Sequence, residues 1–210
     1  MKKNTLLNKS AFAAFVLLLA GCGYNHNSKP NNWFKHHNLP TNISPQHLTL
    51  CTNFGCTQQR TSSFSTDEWD QITNLFQPVP ETAEQERNQI ANAIALMESQ
   101  QGPKVGTQND LAENGFGIGV EGSQLDCVAE TSNTSIYLSL LEHAELLKFH
   151  TLTGHAHRGL FTLNLPHNTA TIKEKSSEKA FAIDSWYSAN GQLPWVTPVE
   201  NWLTGASPEK

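Results

Sequence analysis

The strongest constraint on the fold is a hairpin pattern near the C-terminal end of the chain. Two stretches rich in apolar and β-branched residues, at about 166–173 and 179–186, are separated by the polar run 173–179. Such a run between two strand-like stretches is typical of a turn, so the pair predicts an antiparallel hairpin.

The length of the polar run also predicts the register of this hairpin. A symmetric turn gives three cross-strand pairs: Ala170 with Phe181, Ile172 with Lys179 and His167 with Asp184. Because opposed residues point to the same face of a sheet, His167 and Asp184 are expected to be direct neighbours on the face opposite the apolar one.

A long helical pattern precedes the hairpin. Apolar residues recur at helical spacing through about residue 147, and Asp126 is a suitable N-cap residue, which puts Cys127 in the first helical turn. Strands are predicted at about 148–153 and 158–163. Earlier in the chain, one helix is predicted to begin at the capping box Ser65-Thr66-Asp67-Glu68, and another is predicted to end at Gly102-Pro103. This order of elements predicts an α+β fold, with helices packed on an antiparallel sheet.

The N-terminus has the features of a targeting segment. Three lysines precede the ten-residue apolar stretch 11–20, which is too short to span a bilayer. It ends in Leu19-Ala20-Gly21-Cys22, which resembles the lipobox of bacterial lipoproteins. The resemblance implies a signal peptide over 1–21 and lipidation of Cys22. The residue after Cys22 is Gly23, and not the aspartate that retains lipoproteins at the inner membrane. The resemblance therefore favours an anchor in the outer membrane, with the protein facing the periplasm.

The segment that follows is polar and aperiodic. Residues 22–46 are rich in Asn, Pro, His and Ser, which predicts a flexible tether ahead of one domain over 47–205. The formal net charge of the chain is −5. With no basic patch outside the signal region, nucleic acid is not an expected partner.

The four cysteines divide by context. Cys22 is assigned to lipid, and Cys51 and Cys56 bracket the tight-turn sequence Thr52-Asn53-Phe54-Gly55. In an exported protein this spacing predicts a disulfide. Cys127 is therefore the odd thiol, either reactive or buried.

Cys127, His167 and Asp184 have the residue types of a cysteine nucleophile, its general base and an orienting acid. Taken singly, His167 could be a surface histidine and Asp184 a turn cap. Rival bases are also present, namely His143, His150, His155 and His157. His155 and His157 flank Ala156 in an expected turn and could bind metal, but no nearby carboxylate completes such a site. We expect no metal and no cofactor.

The order of these residues resembles the papain-related transglutaminase-like superfamily of cysteine hydrolases. In that superfamily a cysteine begins a helix, and a histidine and an aspartate follow on successive strands. The resemblance covers about 120–190, includes Asp184-Ser185-Trp186, and extends more loosely to a group of bacterial lipoproteins. It implies a transglutaminase-like or papain-like core, with Cys127 as nucleophile, His167 as general base and Asp184 as orienting acid. The chain departs from it at Val128 and at Asn168-Thr169, where aromatic residues are common.

The functional expectation is an envelope cysteine hydrolase or acyl transferase that acts on amide bonds of a peptide or peptidoglycan-like substrate. Peptidase or amidase action is favoured over cross-linking, because water is the default acyl acceptor. The backbone N–H of Cys127 and the side chain of Gln124 are candidate oxyanion donors. The alternative is a non-catalytic lipoprotein that uses the same fold to bind peptide or peptidoglycan.

Overall fold

The computed structural model of the chain describes residues 23–24, 28–114, 124–159 and 166–209. The predicted signal peptide and the lipidation site at Cys22 lie outside these residues. Within them, no helix is long and apolar enough to cross a membrane.

The described helices and strands follow one another in a mixed order. They are β1 (Gly23–Tyr24), α1 (Pro30–His36), β2 (Leu48–Cys51), β3 (Gln59–Ser62), α2 (Thr66–Asn74), α3 (Ala83–Val105), α4 (Cys127–His143), β4 (His150–Arg158), β5 (His167–Glu174), β6 (Ala180–Asp184), β7 (Trp195–Pro198) and α5 (Val199–Leu203).

An antiparallel sheet of order β1-β4-β5-β6-β7 forms the centre of the fold, and β2 and β3 form a separate hairpin. Ile136 and Leu140 of α4 share a buried core with Ala170 and Ile172 of β5. A second cluster includes Trp202 of α5. The expected α+β class with an antiparallel sheet is confirmed.

The β5–β6 hairpin forms, but the predicted register is wrong by two residues. Ala170 pairs with Ile183, and Ile172 pairs with Phe181. Glu178 takes a left-handed conformation (φ 59°), which places the turn one residue further along than a symmetric turn predicts. A two-residue slip keeps every side chain on its predicted face, so His167 and Asp184 become diagonal neighbours on the same face instead of direct ones.

The strand before the hairpin also differs from the prediction. The strand β4 does not end near Gly154 but continues to Arg158. Its pairing with β5 shifts register between Leu152 and His155, and Gly154 lies within this irregularity. His155 and His157 are therefore strand residues and not turn residues.

The predicted tether at 22–46 is wrong for most of its described part. Gly23 and Tyr24 pair with β4, and α1 begins at Pro30. Trp33 and Phe34 are buried in the main core, as are Leu39 and Ile43. The polar neighbours of these apolar residues face solvent. Because polar residues dominate the segment, its composition did not indicate that α1 is a helix with one buried face.

Of the two sequence signals at the ends of α2 and α3, one predicted the helix end correctly and the other did not. Ser65 and Glu68 form the predicted capping box at the start of α2. The predicted end of α3 at Gly102-Pro103 is wrong, because the helix continues to Val105 and ends at Gly106, whose φ of +92° favours glycine. Pro103 has no N–H to donate to the carbonyl four residues earlier, so one intrahelical hydrogen bond is lost, and the helix nevertheless continues for two more residues.

The Cys51–Cys56 disulfide is confirmed. The strand that carries it is held against α4 by Asn133, whose amide oxygen accepts from the Cys51 N–H at 2.8 Å and whose amide nitrogen donates to the Cys51 carbonyl at 3.0 Å. The bridge therefore closes a turn that is fastened to the helix bearing Cys127.

Candidate active site

Cys127 is the first residue of α4, and its position is fixed by Asp126. One carboxylate oxygen of Asp126 accepts from the Ala129 N–H at 2.9 Å, as an N-cap should, and the other accepts from the Gly55 N–H at 2.9 Å. The helix start is thereby tied to the disulfide-closed turn. Cys127 itself is a free, half-buried thiol at the positive end of the helix dipole.

His167 and Asp184 are brought together by the β5–β6 hairpin. The His167 Nε2 and an oxygen of Asp184, Oδ2, are 2.8 Å apart, and both side chains are buried. Cys127 is close enough to His167 to raise the pKa of the imidazole, and because Nε2 is used by Asp184, Nδ1 is the ring nitrogen that remains for the sulfur. The structure therefore brings all three predicted residues into one cluster.

The electrostatics of His167 depend on both partners. Burial alone would lower its pKa, but the hydrogen bonds to Asp184 and Cys127, together with the negative charges of these groups, raise the pKa to about 9. At neutral pH the imidazole of His167 is protonated, so it can pair with an anionic sulfur and later donate a proton.

An aromatic enclosure surrounds the His167 ring. Its centroid lies 4.6 Å from Trp186, 5.6 Å from Tyr187 and 5.4 Å from Trp202, and the Trp202 ring stacks on it with an interplanar angle of 29°. These rings exclude water from the hydrogen bond between His167 and Asp184, and a lower local dielectric strengthens that bond.

Trp202 also holds the carboxylate directly. Its Nε1–H donates to Asp184 Oδ2 at 2.7 Å, the same oxygen that hydrogen-bonds to His167. Asp184 is thus oriented by two donors from different elements. Trp202 carried no local signal in the sequence, because its role depends on docking α5 against the sheet.

Arg158 fastens α5 in place. Its guanidinium donates to the carbonyls of Trp202 and Ala206 and to the Tyr187 hydroxyl, and its carbon Cζ lies 4.4 Å from the Trp202 ring centroid. A buried arginine that bonds several backbone carbonyls fixes the geometry of the segment it bonds. Arg158 is thus a positioning residue for the aromatic side of the site.

On another side of the sulfur lies Asn168. Its Nδ2 is 3.9 Å from Cys127 Sγ, and its Oδ1 is 3.0 Å from Nδ1 of His157 on the paired strand β4. From the sequence alone, Asn168 was identified only as a residue that differs from the aromatic residue common at this position of the superfamily.

Gln124 lies close to Cys127 in the chain, but its amide holds the loop before α4. Its Nε2 donates to the Asn109 carbonyl at 2.8 Å, and its Oε1 accepts from the Leu111 N–H and from Asn114. These bonds give Gln124 a structural role, and its predicted oxyanion role stays a prediction.

The rival histidines lie in other settings. His150 is paired with Glu86 at 2.9 Å, and His143 is at the exposed far end of α4. His155 packs on Trp33 with ring centroids 4.2 Å apart. In the described parts of the chain, no group of three or more His, Cys, Asp or Glu side chains is arranged to hold a metal ion.

A buried cluster of three carboxyl groups lies behind the site and was not predicted. It consists of Glu98 of α3, Asp110 from the loop after α3, and Glu130, one helical turn beyond Cys127. Burial raises the pKa of all three, to about 8 for Glu98, to about 6 for Asp110, and well above the usual range for Glu130. Asp110 and Glu130 share a hydrogen bond, which requires one of them to be protonated.

Comparisons of the chain with protein-family models, with curated proteins and with solved structures gave no match. The assignment of chemistry to this site therefore depends on its own geometry.

Proposed function

We propose that this protein is a cysteine hydrolase or acyl transferase of the bacterial cell envelope, acting on amide bonds through Cys127, His167 and Asp184. One observation carries the proposal: a histidine that hydrogen-bonds a buried carboxylate and lies beside a free thiol at a helix start. We further propose a transglutaminase-like or papain-like core. The order of the three residues on one helix and two neighbouring strands supports this.

The chemistry that these residues can perform is acyl transfer. The Cys127 thiolate attacks the carbonyl carbon of an amide, a carbon–sulfur bond forms, and the carbonyl electron pair moves to oxygen. His167 gives its proton to the departing amine, which leaves a thioester. The neutral His167 then takes a proton from water, whose oxygen displaces the sulfur. Asp184 holds the imidazole orientation through both steps.

Peptides and peptidoglycan-like chains are the proposed substrates, because both carry amide bonds and are present in the envelope. Hydrolysis is proposed ahead of cross-linking, since water is always available as the acceptor. No cofactor enters this mechanism.

Attachment of Cys22 to lipid is proposed as the anchor, with the domain facing the periplasm. Gly23 pairs with His157, which in turn contacts Asn168 beside Cys127. A lipid on Cys22 would therefore be attached at the end of the sheet that carries the site, and the site would act close to the membrane surface.

Changing Cys22 to alanine should release the protein from membranes or block its maturation, because the lipid is the proposed anchor. Membrane fractionation of cells that express the variant and the wild-type chain measures this. Changing Cys51 to alanine is the matched control, since it removes a cysteine without touching the lipobox. Normal maturation and unchanged membrane association of the Cys22→Ala protein would contradict the anchor.

The proposed function predicts that the reaction of Cys127 with iodoacetamide depends on His167. The imidazole of His167 lies beside the sulfur and accepts the thiol proton when the sulfur attacks. We therefore expect His167→Gln to lower the alkylation rate of Cys127 at pH 7 by about tenfold or more. The measurement is peptide mapping of the full chain, purified without reductant.

The bridged Cys51–Cys56 pair serves as an internal control, because neither sulfur should be labelled. A folded His167→Gln protein that is alkylated as fast as the wild type would contradict the catalytic proposal and favour the non-catalytic binding lipoprotein.

A further inference from the structure

The structure assigns Asn168 as the side-chain donor of the oxyanion hole, with His157 as the residue that orients it; this inference rests on the proposed acyl-transfer function. Asn168 directly follows the general base in β5. Adjacent residues of a strand project to opposite sides, and here the side chains of both His167 and Asn168 contact Cys127. An acyl-transfer site needs this arrangement, with the base and the oxyanion donor on different sides of the sulfur.

The partner on β4 fixes which end of the Asn168 amide faces the sulfur. His157 Nδ1 is 3.0 Å from Asn168 Oδ1, and a carbonyl oxygen only accepts hydrogen bonds, so Nδ1 carries the proton. The Nδ2 group is consequently the end directed at Cys127 Sγ. The reversed amide would place an oxygen lone pair against the sulfur and would require Nδ1 of His157 to accept a hydrogen bond instead of donating one.

The distance from Asn168 to the sulfur suits a donor that acts on the transition state. At 3.9 Å the Nδ2···Sγ contact is long and binds the resting thiol weakly. When a carbonyl carbon bonds to sulfur, its oxygen enters the space beside Sγ, and a donor at this position can approach the oxygen to about 3 Å. The hydrogen bond therefore strengthens as the negative charge develops, which is the requirement for catalysis and not merely for substrate binding.

A second donor is available at the same place. Cys127 is the first residue of α4, so its backbone N–H has no intrahelical carbonyl to bond and belongs to the positive end of the helix. Asn168 and this N–H together form a two-donor site. Gln124, by contrast, gives its amide NH₂ to the Asn109 carbonyl.

Two reactions of Cys127 separate this role from a structural one. With p-nitrophenyl acetate the sulfur attacks a carbonyl, an oxyanion forms, and p-nitrophenolate leaves an acetyl thioester on Cys127. With iodoacetamide the sulfur displaces iodide from a saturated carbon, and no oxyanion forms. Loss of an oxyanion donor slows only the first reaction.

For Asn168→Ala we expect acylation by p-nitrophenyl acetate to fall about a hundredfold, while alkylation by iodoacetamide stays within about twofold of wild type. Asn168→Leu keeps nearly the size of the side chain without the donor and without adding a charge, and should show the same split, so a folding defect in one variant does not decide the outcome. His157→Leu should lower acylation about tenfold and add little in the background of Asn168→Ala, because it acts through Asn168. His143→Ala, at the exposed end of α4, is the matched control.

Equal losses in both reactions, or no loss in either, for Asn168→Ala and Asn168→Leu would overturn the assignment. A wild-type protein that is alkylated but forms no acetyl thioester would instead overturn the proposed function, and the oxyanion site with it.

Discussion

Replacing His167 with alanine should slow the acylation of Cys127 by p-nitrophenyl acetate at pH 7 by about a thousandfold or more. His167 is the predicted base and supplies the positive charge beside the sulfur. Cys127→Ala should abolish the reaction. Because catalytic residues of this kind act as one unit, adding Asp184→Ala to His167→Ala should cost little more than His167→Ala alone.

The pH dependence of the wild-type reaction on an amide substrate follows from the same histidine. The pKa of His167 is raised to about 9, so its proton is available to a leaving amine at neutral pH and is lost as the pH rises through about 9. We therefore expect amide cleavage to decline above that pH. Asp184→Asn should move the decline to lower pH, because it removes a negative charge that raises the pKa of His167.

Folding must be controlled in these variants, because His167 and Asp184 are buried and Asp184 also binds Trp202. His167→Gln preserves most of the side-chain volume and should lose activity as His167→Ala does, with a smaller loss of stability. His150→Gln is a matched control, because it changes another buried histidine that is also bonded to a carboxylate, Glu86. Full acylation by a folded His167→Gln protein would refute the triad.

The features of the fold and of the site that the sequence predicted correctly are those set by short-range chemistry. The N-cap at Asp126, the capping box at Ser65 and the disulfide across a five-residue separation all depend on residues within one turn of each other. The contact between His167 and Asp184 was also predicted, although the register was not. It survived because a slip of two residues preserves the face of every side chain.

The parts that the sequence could not predict depend on contacts between distant segments. The bonds of Trp202 to Asp184 and of Arg158 to α5 exist only once α5 packs on the sheet. Similarly, α1 was missed because its two buried aromatic residues, Trp33 and Phe34, are diluted by polar neighbours. Asn168 became a candidate only when the pairing of β4 with β5 placed His157 beside it.

The carboxyl cluster behind Cys127 makes a prediction about stability that is independent of catalysis. Glu98 accepts from the Gly191 N–H at 3.2 Å and bonds Ser185, the residue after Asp184, while its other oxygen, Oε1, has no hydrogen-bond partner. Burial is the main cause of its raised pKa of about 8, and the nearby Asp110 adds to it. The folded protein thus holds this carboxyl group in its neutral form.

The raised pKa of Glu98 should make the free energy of unfolding fall as the pH rises. The folded pKa of Glu98 is above the unfolded value, so between about pH 4.5 and 8 the folded state binds more protons than the unfolded state. The free energy of unfolding contributed by this group is therefore greatest below about pH 4.5 and falls as the pH rises. His167, with its pKa raised to about 9, acts in the same direction at higher pH, between about 6.5 and 9.

Glu98→Gln should consequently be as stable as the wild type near pH 4.5 and more stable than it at pH 8, by on the order of 4 kcal/mol. The glutamine oxygen still accepts from Gly191, but the side chain has no charge to bury. Urea unfolding of both proteins across this pH range, with the disulfide intact, measures the difference. Glu84→Gln, on the exposed side of α3, is the matched control and should leave the pH dependence unchanged. Parallel curves for Glu98→Gln and the wild type would mean that Glu98 is ionised in the folded protein. In that case Glu98 of α3 would bond Ser185 as a buried carboxylate anion and not as a neutral carboxylic acid.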